Sequence, residues 1–172
     1  VLQNEEKLNS MQTEITQYLV EISRKDLDSD QSAKIPALIN TINNFERVGD
    51  HCEDITELSR NKINRKIIFS EQGINELETL YQEVMNMMDE CLLAYSKDDA
   101  ELALQAAARE DVVDELTLNF KDEHIRRLEE GTCSVQAGVI YLDAITHLER
   151  IADHLHNVCH IISEGRHYGD KE

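Results

Sequence analysis

The chain is poor in the residues that build sheets and tight turns. It has six glycines, one proline and no tryptophan, and aromatic residues make up 5% of its 172 residues. Strands favour aromatic residues and need turn-forming residues between them, so this scarcity argues against a sheet protein. Leucine, isoleucine, glutamate and alanine abound instead, which favours helices. The composition therefore predicts an all-α fold.

Positive charge is also scarce. The chain has 17 basic residues against 35 acidic ones, which gives a net charge of -18. Such a surface repels phosphate backbones and anionic lipid headgroups, so nucleic acid is not expected as a partner. It attracts metal cations or a basic protein patch, although an acidic surface often serves only solubility.

Paired cysteines and long apolar runs are missing as well. The four cysteines include no C-x-x-C pair and no secretory leader precedes them, which favours a reduced, cytoplasmic setting. Cys52 and Cys159 fall on apolar helix stripes, so we expect both in the core. No run approaches the roughly 20 apolar residues that cross a bilayer, so we expect no membrane insertion. The opening at Val1, without a start methionine, suggests a piece of a longer protein.

Apolar residues recur at helical spacing in five segments. Gly131 is expected to end the fourth helix and Gly165 the fifth. Residues 166–172 are expected to form a solvated tail, and the rest one compact domain. The predicted helices run from about Leu2 to Lys25, Ser32 to Arg65, Ser70 to Lys97, Leu102 to Leu128 and Ser134 to Ser163.

The sequence also matches itself at an offset of 103, which places residues 45–51 over residues 148–154 with four identities. An offset of 105 places Glu6 over Asp111 and Asn9 over Asp114. This order predicts a duplication, with a first repeat over residues 1–66 and a second over residues 67–165. If each repeat is a three-helix bundle, the first helix of the first repeat is missing and five of six helices remain.

Acidic residues stand at i,i+4 spacing in both copies, as Glu46 with Asp50 and Glu149 with Asp153. Like charges at this spacing cost a few tenths of a kcal/mol unless a cation relieves them. Antiparallel pairing within each copy brings acids of the preceding helix opposite this stripe. Dense carboxylate oxygens suit magnesium, or iron and manganese where several acids bridge ions. The candidate metal ligands are Glu6, Glu46, Asp50, Asp111, Asp114, Glu149 and Asp153.

Simpler interpretations stay open for these residues. The stripes are equally compatible with a hydrated acidic face, and Arg47 and Arg150 with pairing to neighbouring acids. His156 and His160 alone are a weak zinc pair. By helical angle, His51 and His154 point away from the acid stripe, which favours a structural role.

The sequence offers little for catalysis. It contains no G-x-S-x-G, no glycine-rich phosphate loop and no cysteine placed with a histidine and an orienting acid. A ferritin-like metal enzyme would need Glu-x-x-His motifs that face a bundle interior. The prediction is a protein that is not an enzyme.

The repeated segment resembles the signature of the PhoU family, Leu-Glu-Arg-Ile-Gly-Asp-His-Ala-x-Asn-Ile. Residues 45–55 and 148–158 both match it, and the preceding acidic helices resemble those of the family. The resemblance implies two three-helix bundles, iron or other metal clusters at acidic motifs, with zinc, manganese or magnesium as alternatives, and control of phosphate uptake. By position, Glu46, Asp50, Glu149 and Asp153 correspond to its motif acids.

This chain departs from free-standing members of the family where the signature helix opens. Gln31-Ser32-Ala33 and Ser134-Val135-Gln136 stand in place of Asp-Leu-Arg. With the missing first helix, this looks more like the cytoplasmic PhoU-like tail of bacterial sodium/phosphate cotransporters. That resemblance implies a tether at the inner face of the plasma membrane, a membrane transport domain in the same polypeptide and a homo-oligomer. A free-standing regulator, and an interaction or dimerisation module without metal, are the alternatives.

Overall fold

The computed structural model describes residues 2–165, apart from the side chains of Leu2, Gln3 and Glu5. Within this range the chain is helical and contains no strands, as its composition predicts. The predicted tail at 166–172 lies outside the described residues. The helices are α1 (Leu2–Ser23), α2 (Ser29–Asn64), α3 (Glu71–Lys97), α4 (Ala100–Ala107), α5 (Arg109–Glu129) and α6 (Val135–Gly165).

Short polar side chains set where several of these helices begin. The Asp28 carboxylate accepts a hydrogen bond from the Gln31 backbone N–H at 2.7 Å, so α2 begins earlier than predicted. Ser70 accepts from the backbone of Gly73 at 3.1 Å at the start of α3, and Asp99 caps α4. Such side-chain oxygens satisfy backbone donors that have no partner inside the helix.

The fourth predicted helix is interrupted. It was expected to be continuous from Leu102 to Leu128, but α4 ends at Ala107 and α5 begins at Arg109. Ala108 between them keeps right-handed helical angles, with φ -65° and ψ -12°. Gly131 adopts φ 68° just after α5, which glycine reaches without steric cost. The predicted end of this helix is thus confirmed.

The longest helices, α2 and α6, pack against each other and run in opposite directions. His51 of α2 meets His147 of α6, and Asn44 of α2 meets His154 of α6. Within the described residues, α6 also packs against α3, α4 and α5, whereas α2 packs mainly on α1 and α6. The ring of Phe45 on α2 also meets the ring of Tyr95 on α3, with centroids 6.3 Å apart. The main core therefore lies around α6, where Leu80, Met87, Ile145 and Leu155 are fully buried.

More helices pack against α6 than against α2, and this difference explains a wrong prediction about a buried cysteine. Cys159 is buried as expected, but Cys52 is exposed. At the offset of 103, Cys52 corresponds to Leu155, which is 0% exposed. Likewise Leu38 is 37% exposed, whereas its counterpart Tyr141 is 2% exposed. Among the described residues, α3, α4 and α5 pack mainly along α6, so the matching face of α2 is less fully covered at these two positions. The division at residues 66 and 67 stays a prediction.

A buried ion pair ties α3, α5 and α6 together. Two nitrogens of Arg127 donate to the two carboxylate oxygens of Glu76, each at 2.7 Å. The Tyr141 hydroxyl donates to the same carboxylate. Glu76 and Arg127 are only 7% and 3% exposed. Bidentate geometry and a third hydrogen bond offset the desolvation of both charges.

No helix in the described part of the chain combines the length and the apolar character that a membrane span requires.

Candidate metal centre

Three carboxylates converge where the start of α5 packs against α6. Glu110 and Asp114 stand one turn apart on α5, and Asp153 faces them from α6. Each contributes an oxygen atom, and these atoms all lie within 4.8 Å of one another. We call these three residues the acidic cluster. Carboxylate oxygens at this spacing can share one cation that prefers oxygen ligands, such as Mg²⁺ or Mn²⁺.

Burial and mutual repulsion raise the pKa values of two carboxylates in the acidic cluster. Partial burial raises the pKa of Glu110, and the neighbouring charge of Asp114 raises it further. Burial also raises the pKa of Asp114, and Glu149, Asp153 and Asp111 add to that effect. Like charges disfavour ionisation, so a bound cation would relieve a repulsion that the bare protein carries.

Further polar groups surround the acidic cluster. The Lys121 amine donates to Glu149 at 2.9 Å, which neutralises one neighbouring acid. His156 Nδ1 lies 3.6 Å from Glu110 Oε2 and 3.3 Å from the carbonyl oxygen of Ala107. The imidazole of His156 therefore lies at the edge of the cluster, one turn of α6 beyond Asp153.

The second half of the chain thus brings several predicted ligands together. Asp114 and Asp153 are members of the acidic cluster, and Asp111 and Glu149 act on it through their charges. Sequence reasoning missed Glu110. The signal was present, since Glu110 and Asp114 repeat the Glu-x-x-x-Asp spacing that singled out the other motifs.

The matching acids in the first half of the chain are arranged differently. Arg47 lies 3.7 Å from Glu46 and 3.2 Å from Asp50, so both acids have a cation on their own helix. This is the simpler arrangement that the sequence left open for Arg47. Among the side chains that the structure describes, no metal-sized group includes Glu6, Glu46 or Asp50. Glu5, which matches Glu110 at the offset of 105, falls outside those side chains.

The acidic cluster predicts how stability changes with pH when no metal is bound. Because the pKa of Asp114 is raised on folding, its ionisation disfavours the folded chain, and this penalty grows as pH rises through the folded pKa. We expect Asp114→Asn to stabilise the chain at pH 7 in EDTA by about 0.5 kcal/mol, or about 1–2 °C in Tm. The gain should vanish near pH 3.5, below the ordinary aspartate pKa of about 3.9.

Thermal unfolding of both proteins at the two pH values measures this difference. Asp122→Asn is the matched control, since Asp122 is exposed on the same helix and lies outside the cluster. A control that gains as much stability as Asp114→Asn would contradict the assignment of repulsion to the cluster.

The two signature histidines lie away from the acidic cluster, as their helical angle predicted. His51 and His154 lie at the interface of α2 and α6, where their rings stack with centroids 5.6 Å apart. Burial lowers the pKa of His51, and the nearby His147 and His154 lower it further. Both signature histidines are therefore part of the interface between the two halves.

Comparison with known proteins supports the sequence resemblance. The family model described as the PhoU domain matches residues 1–59 and 77–162. A phosphate-specific transport system accessory protein, PhoU homolog 1 of Thermotoga maritima, is 25% identical over 160 residues, or 92% of this chain and 68% of that protein. The homolog of Streptococcus pneumoniae is 24% identical over 123 residues, or 72% of this chain. The chain spans 56% of that second relative.

Solved structures show the same fold. The crystal structure of PhoU from Pseudomonas aeruginosa matches with a TM-score of 0.89 at 22% identity, over 95% of this chain and 78% of that one. PhoU from Streptococcus pneumoniae gives a TM-score of 0.82 at 21% identity, over 95% and 76%. The names of these relatives describe accessory and regulatory proteins rather than enzymes. With a family model that covers most of its length, this chain belongs to the PhoU domain family.

Proposed function

We propose that this chain is a PhoU-type accessory regulator of phosphate transport. The observation that carries the proposal is the PhoU domain match across both repeated segments. Relatives that align with 92% of the chain are named as accessory proteins of the phosphate-specific transport system. In this proposal, the acidic cluster is the surface through which a ligand would act.

The acidic cluster is the proposed metal centre of this regulator. Glu110, Asp114 and Asp153 would hold the ion directly, with Asp111 and Glu149 beside it. The donor set is all oxygen, which suits iron, manganese or magnesium better than zinc. Bound cations would also invert the local charge, so that an anion such as phosphate could approach an otherwise repelling face.

A metal titration tests this centre. We expect Mn²⁺ to bind the metal-free chain, and Asp114→Asn with Asp153→Asn to weaken binding by at least the roughly 10–100-fold that loss of an outer-shell partner costs. Asp122→Asn with Asp143→Asn removes the same charge from exposed positions of α5 and α6 and serves as the control. Equal affinities in the two double variants, measured by calorimetry, would rule out the acidic cluster as the site.

The regulatory role has its own test. We expect the full-length protein to restore the wild-type rate of phosphate uptake in Pseudomonas aeruginosa cells that lack their own PhoU. An unchanged uptake rate, with the protein expressed and folded, would argue against the role. The Asp114→Asn, Asp153→Asn variant in the same cells tests the two proposals separately. If this variant fails to bind metal but still restores phosphate uptake, the regulatory role stands without the metal centre.

The names of the relatives favour a regulator of the phosphate-specific transport system over the cotransporter tail that the sequence departures suggested. The cotransporter tail is the second candidate, and the exchanged residues at 31–33 and 134–136 are the observation that favours it. Reading the gene upstream of Val1 decides between them, because several hydrophobic spans there would show a fused transport domain. Membrane tethering and self-association stay predictions.

A further inference from the structure

A second group of metal-binding side chains lies at the interface of α2 and α6, away from the acidic cluster. His51 Nδ1 and His147 Nδ1 face each other at 3.1 Å. Asp54 Oδ2 lies 3.7 Å from the first nitrogen and 3.5 Å from the second. The two imidazoles are 14% and 22% exposed, whereas the Asp54 side chain is 50% exposed. The group is therefore partly buried, with one side open to water.

These distances match one face of a tetrahedral metal site. Ligand atoms bound about 2.0–2.1 Å from a tetrahedral zinc ion lie about 3.3–3.4 Å apart. The three separations here fall on both sides of that value. Two imidazole nitrogens and one carboxylate oxygen, with a fourth position left to water, form a common donor set for zinc, cobalt and ferrous iron.

The internal repeat shows what this interface needs for packing alone. At the offset of 103, His51 corresponds to His154, Asp54 to Asn157 and His147 to Asn44. The three counterparts also meet. His154 Nδ1 lies 3.0 Å from Asn44 Oδ1, and the Asn157 amide donates to the same oxygen at 3.3 Å.

The same three positions therefore meet twice, once as two histidines with an aspartate and once as two asparagines with a histidine. We call His51, Asp54 and His147 the histidine triad, and Asn44, His154 and Asn157 the amide triad. Neutral amides satisfy the contact between α2 and α6 in one half, so the interface itself does not require a second imidazole and a carboxylate. Amide groups are also poor ligands for zinc. The difference between the triads is a difference in capacity to bind a metal.

Without a metal, the two imidazoles can share a hydrogen bond, which accounts for their short separation and is compatible with a metal site. One neutral ring donates from Nδ1 and the other accepts at the same distance. On metal binding the donor ring would carry its proton on Nε2 instead, so that the Nδ1 lone pairs of both rings could bind one ion beside Asp54. We propose that the histidine triad binds a transition-metal ion, suited to Zn²⁺ or Co²⁺, and thereby links α2 to α6.

Cobalt titration tests this site independently of the acidic cluster. Four-coordinate Co²⁺ absorbs visible light more intensely than Co²⁺ with six oxygen ligands, so the histidine triad has its own signal. We expect the metal-free chain to develop this absorption with one equivalent of Co²⁺ and to lose it when Zn²⁺ is added. Asp114→Asn with Asp153→Asn should leave the signal unchanged, whatever the fate of the proposed Mn²⁺ site.

Two sets of variants convert one triad into the other. His147→Asn with Asp54→Asn gives the histidine triad the residues of the amide triad, and we expect at least a hundredfold loss of Co²⁺ affinity. His160→Asn with Asp143→Asn makes the same changes at exposed positions of α6 and should bind like the wild type. Asn44→His with Asn157→Asp should create a second equivalent, which tests the geometry even if the first variant folds poorly.

Absence of the four-coordinate spectrum in the folded wild-type chain would overturn the proposal. An undiminished spectrum in the folded His147→Asn, Asp54→Asn variant would overturn it too. A wild-type spectrum with one equivalent, lost in that variant and doubled in the Asn44→His, Asn157→Asp variant, would establish the site.

Discussion

Replacing Arg127 with alanine is expected to lower the free energy of unfolding by about 3–5 kcal/mol. Arg127 is 3% exposed, and its guanidinium forms two hydrogen bonds of 2.7 Å with Glu76. Its removal leaves the Glu76 carboxylate buried without its cation, and a buried charge without a partner is costly. The Tyr141 hydroxyl and the Gln72 amide still donate to Glu76, but two neutral donors do not replace a guanidinium.

The neighbouring Arg126 provides the matched control. Its side chain is 56% exposed and pairs with Glu123 at 2.5 Å. Exposed ion pairs stabilise proteins by at most about 1 kcal/mol, so we expect Arg126→Ala to change the free energy of unfolding by less than that. Denaturant unfolding followed by circular dichroism measures both variants. Similar losses in the two would show that the buried pair contributes no more than a surface pair.

Truncating Ile145 to alanine is expected to cost about 2–5 kcal/mol, the usual range for a buried isoleucine. The side chain is 0% exposed on α6, which has four neighbouring helices among the described residues. Its repeat counterpart Ile42 is only half-buried on α2, which packs mainly against α1 and α6. We therefore expect Ile42→Ala to cost less, about 1–2 kcal/mol.

The comparison uses the same substitution at equivalent positions of the two copies. The free energies of unfolding of both variants, measured under identical conditions, give the difference directly. Equal losses would mean that the helices around α6 add nothing to the stability of its core face.

Local features of this fold were predictable from sequence because local chemistry determines them. The five helical segments follow from apolar spacing, and Gly131 ends a helix because glycine adopts a positive φ without cost. The interruption at Ala108 was not predictable, since alanine favours helix and no turn-former stands there. Cys52 was misplaced because periodicity shows which face is apolar but not whether another helix covers it.

The candidate sites likewise contain some residues whose positions were predictable from sequence and others whose positions were not. Pairing about a shared turn correctly placed Asp153 opposite the acids of α5, because a short loop fixes how two adjacent helices align. The same reasoning missed Glu110, which is one of 35 acidic residues in the chain. No loop joins α2 to α6, so sequence rules gave no register between them. His147 and Asp54 were therefore not recognised as neighbours of His51.

The packing of α2 on α6 also has a consequence for how the chain folds. Helical proteins usually fold fast because most of their contacts join residues close in sequence. Here His51 and His147 are separated by 96 positions, and Asn44 and His154 by 110. Closing so long a loop costs chain entropy before the contact contributes any favourable free energy. The two hairpins α1–α2 and α5–α6 can form early, while docking of α2 on α6 has the features of a late, rate-limiting step.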